Sequence, residues 1–228
     1  MGWGNDLLNF IFPRRCHICG NSLAPHERYA CSMCLSKLPR TGYHRRTMNP
    51  MEQRFAGLFP FEKASGHFFY TRDSSLSILI QDMKYRNFPQ IGILLGKVMA
   101  TDLYSTGFFN DIELILPIPM HFWKQAKRGY NQAEKIAEGI SEIIGVPVSD
   151  ALRMIRSHST QTALIREERL ANTENLFSVK KIEELEGRHI LLVDDVCTTG
   201  ATICSAASAI MSQCPSVKLT ILTLGVTF

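Results

Sequence analysis

The run Ile190-Leu191-Leu192-Val193-Asp194-Asp195-Val196-Cys197-Thr198-Thr199-Gly200-Ala201-Thr202 decides the fold. Four consecutive apolar residues, Ile190 to Val193, suit a strand of a parallel sheet covered on both faces. Two acids follow, then a hydroxyl-rich turn in which Gly200 permits a tight bend, then a helix headed by Thr202. The first amides of a helix have no partner within it, and its dipole favours an anion there. Thr198 to Thr202 therefore reads as a cup for a phosphate monoester. Asp194 and Asp195 stand at the carboxyl end of the strand, where open α/β sheets bind ligands, and can accept hydrogen bonds from vicinal sugar hydroxyls. The competing reading is a plain capping turn with both acids solvated. It requires paired acids, Thr-Thr-Gly and strand context to coincide by chance. The segment resembles the motif by which type I phosphoribosyltransferases bind 5-phosphoribosyl pyrophosphate (PRPP).

Outward from this run, strands and helices alternate. Leu76, Leu79, Ile80 and Met83 recur at helical spacing, predicting a helix over 74–86 capped by Ser74 or Ser75. A second helix follows Pro89 to about Tyr104, with Ile93, Leu94, Val98 and Met99 expected to face inward. Residues 113–120 read as a buried strand ending in a turn. Residues 131–144 form an amphipathic helix with Ile136, Ala137, Ile140 and Ile144 on one face. Residues 148–155 read as a short strand, and 219–226 as another. The aromatic stretch 55–70 suggests a hairpin or strand, and 39–54 a linker. Residues 158–175 are polar and without period. This alternation predicts an α/β fold with a parallel, doubly wound sheet.

A second strong signal is Cys16-x-x-Cys19, eleven intervening residues, then Cys31-x-x-Cys34. Two such knuckles match a closed tetrahedral Zn²⁺ site, structural in kind. A redox pair would need only one motif, and nothing marks the chain for the oxidising compartment that disulfides require. His17 and His26 are alternative ligands or exposed loop histidines. Cys197, Cys204 and Cys214 have no partner motif and read as core or near-core residues.

Length allows one ample core with a small appendage: residues 1–55 as zinc module and linker, 56–228 as the main domain. No run of eighteen apolar residues exists, so no membrane span is expected. The apolar stretch Leu7 to Phe12 is too short for a secretory signal, and Arg14-Arg15 follows it where a signal has its basic residues first. Gly2 lacks the Ser or Thr that a myristoylation signal has where Asp6 stands. A short docking helix and a cytoplasmic location are the expectation. The net charge of +4 divides unevenly, +5 over residues 1–55 and −1 over the rest. A basic zinc module can bind nucleic acid, although a solvated surface explains the charge equally well.

Between the strand at 113 and the helix at 131 lies a loop carrying Lys124, Lys127 and Arg128, which suits departing pyrophosphate; a solvated basic turn is the alternative. With Pro117-Ile118-Pro119, Arg128-Gly129-Tyr130-Asn131-Gln132, Lys84-Tyr85-Arg86, and the Gln161-Thr162, Arg169 and Asn172 block, the motif order resembles the ComF family. That family joins a zinc finger to a type I phosphoribosyltransferase domain and is linked in some bacteria to competence for DNA uptake. One departure is Trp123-Lys124-Gln125-Ala126, where the family often has a further Arg.

The resemblance implies that Asp194 and Asp195 hold the ribose hydroxyls of PRPP and that Thr198, Thr199, Gly200, Ala201 and Thr202 cradle its 5-phosphate. It implies Mg²⁺ bridging pyrophosphate and ribose, and transfer to an unidentified nitrogen acceptor. Lys127 and Arg128 are the expected catalytic contacts to pyrophosphate. Lys84 and Tyr85 are expected near the acceptor or phosphate side, and Arg166 or Arg169 on a closing loop. The alternative is a non-catalytic PRPP or nucleotide sensor whose zinc region docks single-stranded DNA or a DNA-uptake helicase. A homodimer is usual for the class.

Overall fold

The computed structural model describes residues 14–155 and 176–227. Among them run β1 (Lys63–Phe69), β2 (Leu114–Pro117), β3 (Leu152–Met154), β4 (Phe177–Val179), β5 (His189–Cys197) and β6 (Lys218–Val226). Strands β1, β6, β5 and β2, in that order, make one parallel sheet; β3 and β4 pair antiparallel with each other. The helices are α1 (Ser32–Ser36), α2 (Pro50–Phe55), α3 (Ser75–Tyr85), α4 (Pro89–Tyr104), α5 (Phe122–Arg128), α6 (Gln132–Ile144), α7 (Ile182–Leu185) and α8 (Ala201–Gln213).

The sheet is covered on both faces, as the apolar run in β5 requires. Ile190 and Leu192 point into a core with Met51 and Phe55 of α2 and Ile203, Ala206 and Ile210 of α8. Leu191 and Val193 point the other way, among α3, α4, α6 and the Cys16 knuckle. All four are fully buried, each worth about 1.5–3 kcal/mol of transfer free energy. The doubly wound parallel fold read from the sequence is the fold observed.

Several local expectations change. Helix α4 buries Ile91, Leu95, Met99 and Leu103, and leaves Ile93, Leu94 and Val98 half-buried. Its glycines choose the face: a Cβ on Gly96 would sit 2.2 Å from the Ile136 carbonyl oxygen, and one on Gly139 2.1 Å from that of Ile93. Helices α4 and α6 thus touch backbone to backbone. The expected linker is structured. Tyr43–Arg45 forms a 3₁₀ turn, and Asn49 and Glu52 close a capping box on α2, whose Met51 and Phe55 are fully buried.

Residues 55–70 contain one strand, β1, and no hairpin. The strand expected over 148–155 divides into a bridge from Val148 to Ile115 and β3. The basic loop after β2 contains α5, ended by Gly129 in the left-handed region at φ 87°. The docking helix expected near residues 7–12, and the 158–175 stretch with Gln161, Thr162, Arg166, Arg169 and Asn172, lie outside the described residues.

Candidate functional site

Strand β5 runs past its helical cover, so Asp194 and Asp195 are its own last turn-ward residues and stand half-buried at the sheet's carboxyl edge. They line a cleft of about 470 Å³ together with Lys84, Arg128, Gln132 and Thr202. Lys84 Nζ meets Asp195 Oδ2 at 2.5 Å. The Asp195 amide donates to Asp194 Oδ1 at 2.8 Å, and the Val196 amide to Asp195 Oδ1 at 2.6 Å. Burial pushes the Asp194 carboxyl far up, to about 8, and the neighbouring Asp195 charge pushes the same way against the amide bond and Lys84. One acid is thus ion-paired and the other favours its proton.

Beyond the acids, Cys197 to Ile203 fold into a small cup that Asp194 also lines. Gly200, at φ 84°, is the N-cap of α8 and offers no side chain to the helix amides, which are left for a ligand. The cup is braced from below. A Cβ on Gly200 would lie 2.7 Å from Phe55 Cε1 and 3.3 Å from Arg54 Cδ. Arg54 donates to the Thr198 carbonyl at 2.6 Å and to the Thr227 carbonyl at 3.0 Å. Arg54 is therefore committed to the cup and is no free cation of the basic N-terminal region. Arg40 is committed too, with Nε 2.7 Å from Asp102 and NH1 on the carbonyls of Leu35, Ser36 and Leu38.

The predicted cationic pair separates. Arg128 lines the cleft, its guanidinium 5.7 Å from the exposed Tyr85 ring and its NH1 2.5 Å from Gln132 Oε1. Lys127 is exposed on α5 and is not among the cleft-lining residues. Asn131 is used up structurally, accepting from the Ala133 amide and donating to the Ile118 carbonyl. Tyr130 donates its hydroxyl to the Met83 carbonyl. The sequence reading assigned no role to Gln132 or to Arg54; the first lies beside a motif arginine, whereas nothing local marks the second.

The four knuckle sulfurs lie within 4.8 Å of one another, with Cys19 Sγ and Cys31 Sγ 3.9 Å apart. Tetrahedral Zn–S bonds of about 2.3 Å give edges of about 3.8 Å, so the set can hold zinc. Burial opposes ionisation of Cys16, yet hydrogen bonds from the amides of Cys19, Cys31 and Ile18 bring its thiol down to about 6, favouring the thiolate a metal needs. His26 is exposed. His17 is neither a ligand of that cluster nor an exposed loop residue. Its Nδ1 lies 2.5 Å from Asp82, a carboxylate with 3% side-chain exposure on α3, and its ring packs edge-on against Phe88. Cys197 and Cys214 are buried and Cys204 half-buried, as expected.

A parallel sheet with helices on both faces and a polar cleft at its carboxyl edge is the architecture of phosphoribosyl transfer. The family model described as phosphoribosyl transferase domain matches residues 98–224, more than half of the sequence, and the chain belongs to that family. Its likeness to the ComF group holds as well. The chain is 28% identical over 211 residues to Competence protein F of Haemophilus influenzae, covering 86% of this chain and 90% of that one. It is 24% identical over 200 residues to DNA utilization protein YhgH of Salmonella typhimurium, covering 86% and 77%. It is 26% identical over 144 residues to Competence protein ComFC of Bacillus subtilis, covering 63% and 57%. Among the described residues no helix is long and apolar enough to cross a membrane.

Proposed function

We propose that the chain binds PRPP with Mg²⁺ and transfers its phosphoribosyl group to a nitrogen acceptor, releasing pyrophosphate. The observation that carries this is the placement of Asp194 and Asp195 in the cleft, with Asp194 shared by the Thr198–Thr202 cup. The acids accept from the ribose hydroxyls and the α8 amides take the 5-phosphate. The bond from the anomeric carbon to pyrophosphate oxygen breaks, a bond to acceptor nitrogen forms, and that nitrogen loses its proton. The protein supplies positioning and positive charge from Lys84 and Arg128, with no covalent nucleophile required. Mg²⁺, suited to such carboxylate and hydroxyl oxygens, would neutralise the leaving group. Zn²⁺ on Cys16, Cys19, Cys31 and Cys34 would close a structural site.

The test is pyrophosphate release from PRPP and Mg²⁺ across purine, pyrimidine and amine acceptors, with calorimetry alongside. Replacing Asp194 and Asp195 together by Asn should abolish release and weaken PRPP; equal affinity in the wild type and the double variant sinks the assignment.

A second reading, a non-catalytic module that holds single-stranded DNA, is favoured by one observation. Phe122, Trp123 and Tyr85 are 69%, 73% and 75% exposed, with Lys127 and Arg128 close in sequence to the first two. Exposed rings beside cations suit base stacking. Such binding must weaken with salt, at roughly 0.7 log units per log unit of salt for each phosphate neutralised. Salt-insensitive retention of a single-stranded oligonucleotide would exclude it.

A further inference from the structure

We propose that Gln132 is a ligand-binding residue whose side-chain amide donates to a pyrophosphate oxygen of PRPP, an inference that rests on the reading above. A guanidinium can only donate, so the 2.5 Å contact from Arg128 NH1 fixes which end of the Gln132 amide is oxygen and which is nitrogen. Gln132 is 2% exposed, and its Nε2 has no hydrogen-bond partner among the described residues. Buried donors without an acceptor are rare in folded proteins, and this one sits in a side chain that lines the cleft of Asp194 and Asp195. The other such atom, Ser65 Oγ, lies within β1 and does not line the cleft.

The surroundings select the chemistry of the missing acceptor. Lys84 and Arg128 line the same cleft, so an anionic oxygen is favoured over the carbonyl of a neutral base. The parts of PRPP then sort themselves. Its ribose hydroxyls belong to the paired acids and its 5-phosphate to the cup at Thr198–Thr202, which leaves the pyrophosphate for the arginine side. Adjacent residues divide the work: Asn131 spends both ends of its amide on the α6 cap and on Ile118, whereas Gln132 spends only its oxygen.

The experiment is isothermal titration of the full chain and two variants, Gln132→Glu and Gln132→Met, with PRPP and with ribose 5-phosphate, each with Mg²⁺. Gln132→Glu keeps an oxygen for Arg128 and removes only the donor, and melting curves verify that both variants fold. The expected result is about a tenfold or greater loss of PRPP affinity in both, with ribose 5-phosphate held within about twofold. Equal losses for the two ligands would show a packing role and overturn the inference, as would unchanged PRPP affinity. A wild-type chain that binds ribose 5-phosphate but not PRPP overturns the transferase reading itself, a result distinct from either of these.

Discussion

Asp82 joins the zinc knuckle to the cleft, and its removal has a size that can be worked out. The carboxylate is buried on α3 and accepts from His17 Nδ1 at 2.5 Å and Arg86 NH1 at 3.1 Å. The Arg86 leg counts for little, because that side chain is 73% exposed and returns to water. The His17 leg, a hydrogen bond to a buried charged acceptor, is worth about 1.5–3 kcal/mol. Asp82→Ala should therefore cost about 2–3 kcal/mol, or about 4–12 °C in melting temperature for a chain of this length. Scanning calorimetry of zinc-loaded protein measures it. A cycle with His17→Ala should show the double variant losing little beyond either single one. Lys84 lies two residues further along the same turn and holds Asp195, so PRPP affinity should fall as well while zinc content stays constant. Additive losses in the cycle would refute the strut.

Three further outcomes follow from the same geometry. Gly200→Ala meets Phe55 at 2.7 Å in a left-handed conformation, so calorimetry should show lost affinity for ribose 5-phosphate and a destabilisation of about 1–2 kcal/mol from the backbone alone. Asp194 has a folded pKa raised from 3.8 to about 8, so its stability contribution is complete below about pH 4 and is lost as pH rises through 8. Asp194→Asn should accordingly raise the melting temperature of the free protein above pH 8 and not below pH 4, while weakening sugar binding. Stripping the metal with a chelator should undock the Cys16–Cys34 knuckle, seen as loss of His17 amide protection in hydrogen exchange; elemental analysis of protein purified without chelators should find one zinc per chain.

What the sequence disclosed was local. The β5 run, the knuckle spacing and the caps of α3 and α6 all concern residues within a few positions of one another, and these emerged where expected. The inward face of α4 did not, because the helix is apolar on several sides and Gly92 and Gly96 turn toward α6 for lack of bulk. Lys84 and Asp195 are far apart in the chain, so no pattern announces their ion pair. Arg54 read as one more surface charge because its acceptors, Thr198 and Thr227, are brought to it only by the sheet. The α2 helix was legible in principle: Asn49-Pro50-Met51-Glu52 is a capping box written out in order.

The pairing of β1 with β6 also sets an order of events. Residues 63–69 must wait for 220–226 before they have a neighbour in the sheet, and Arg54 must wait for Thr227. During synthesis the knuckle can close around its metal at once, since all its ligands fall within residues 16–34. The phosphate cup cannot, because its brace and its final anchor emerge from the ribosome some 170 residues apart. Contacts of such long range make closure of the sheet slow and leave the apolar face of β1 open to mispairing until it happens. A nascent chain halted before residue 218 would therefore be metal-bound yet unable to hold a sugar phosphate, so ligand retention reports completed folding of the whole sheet.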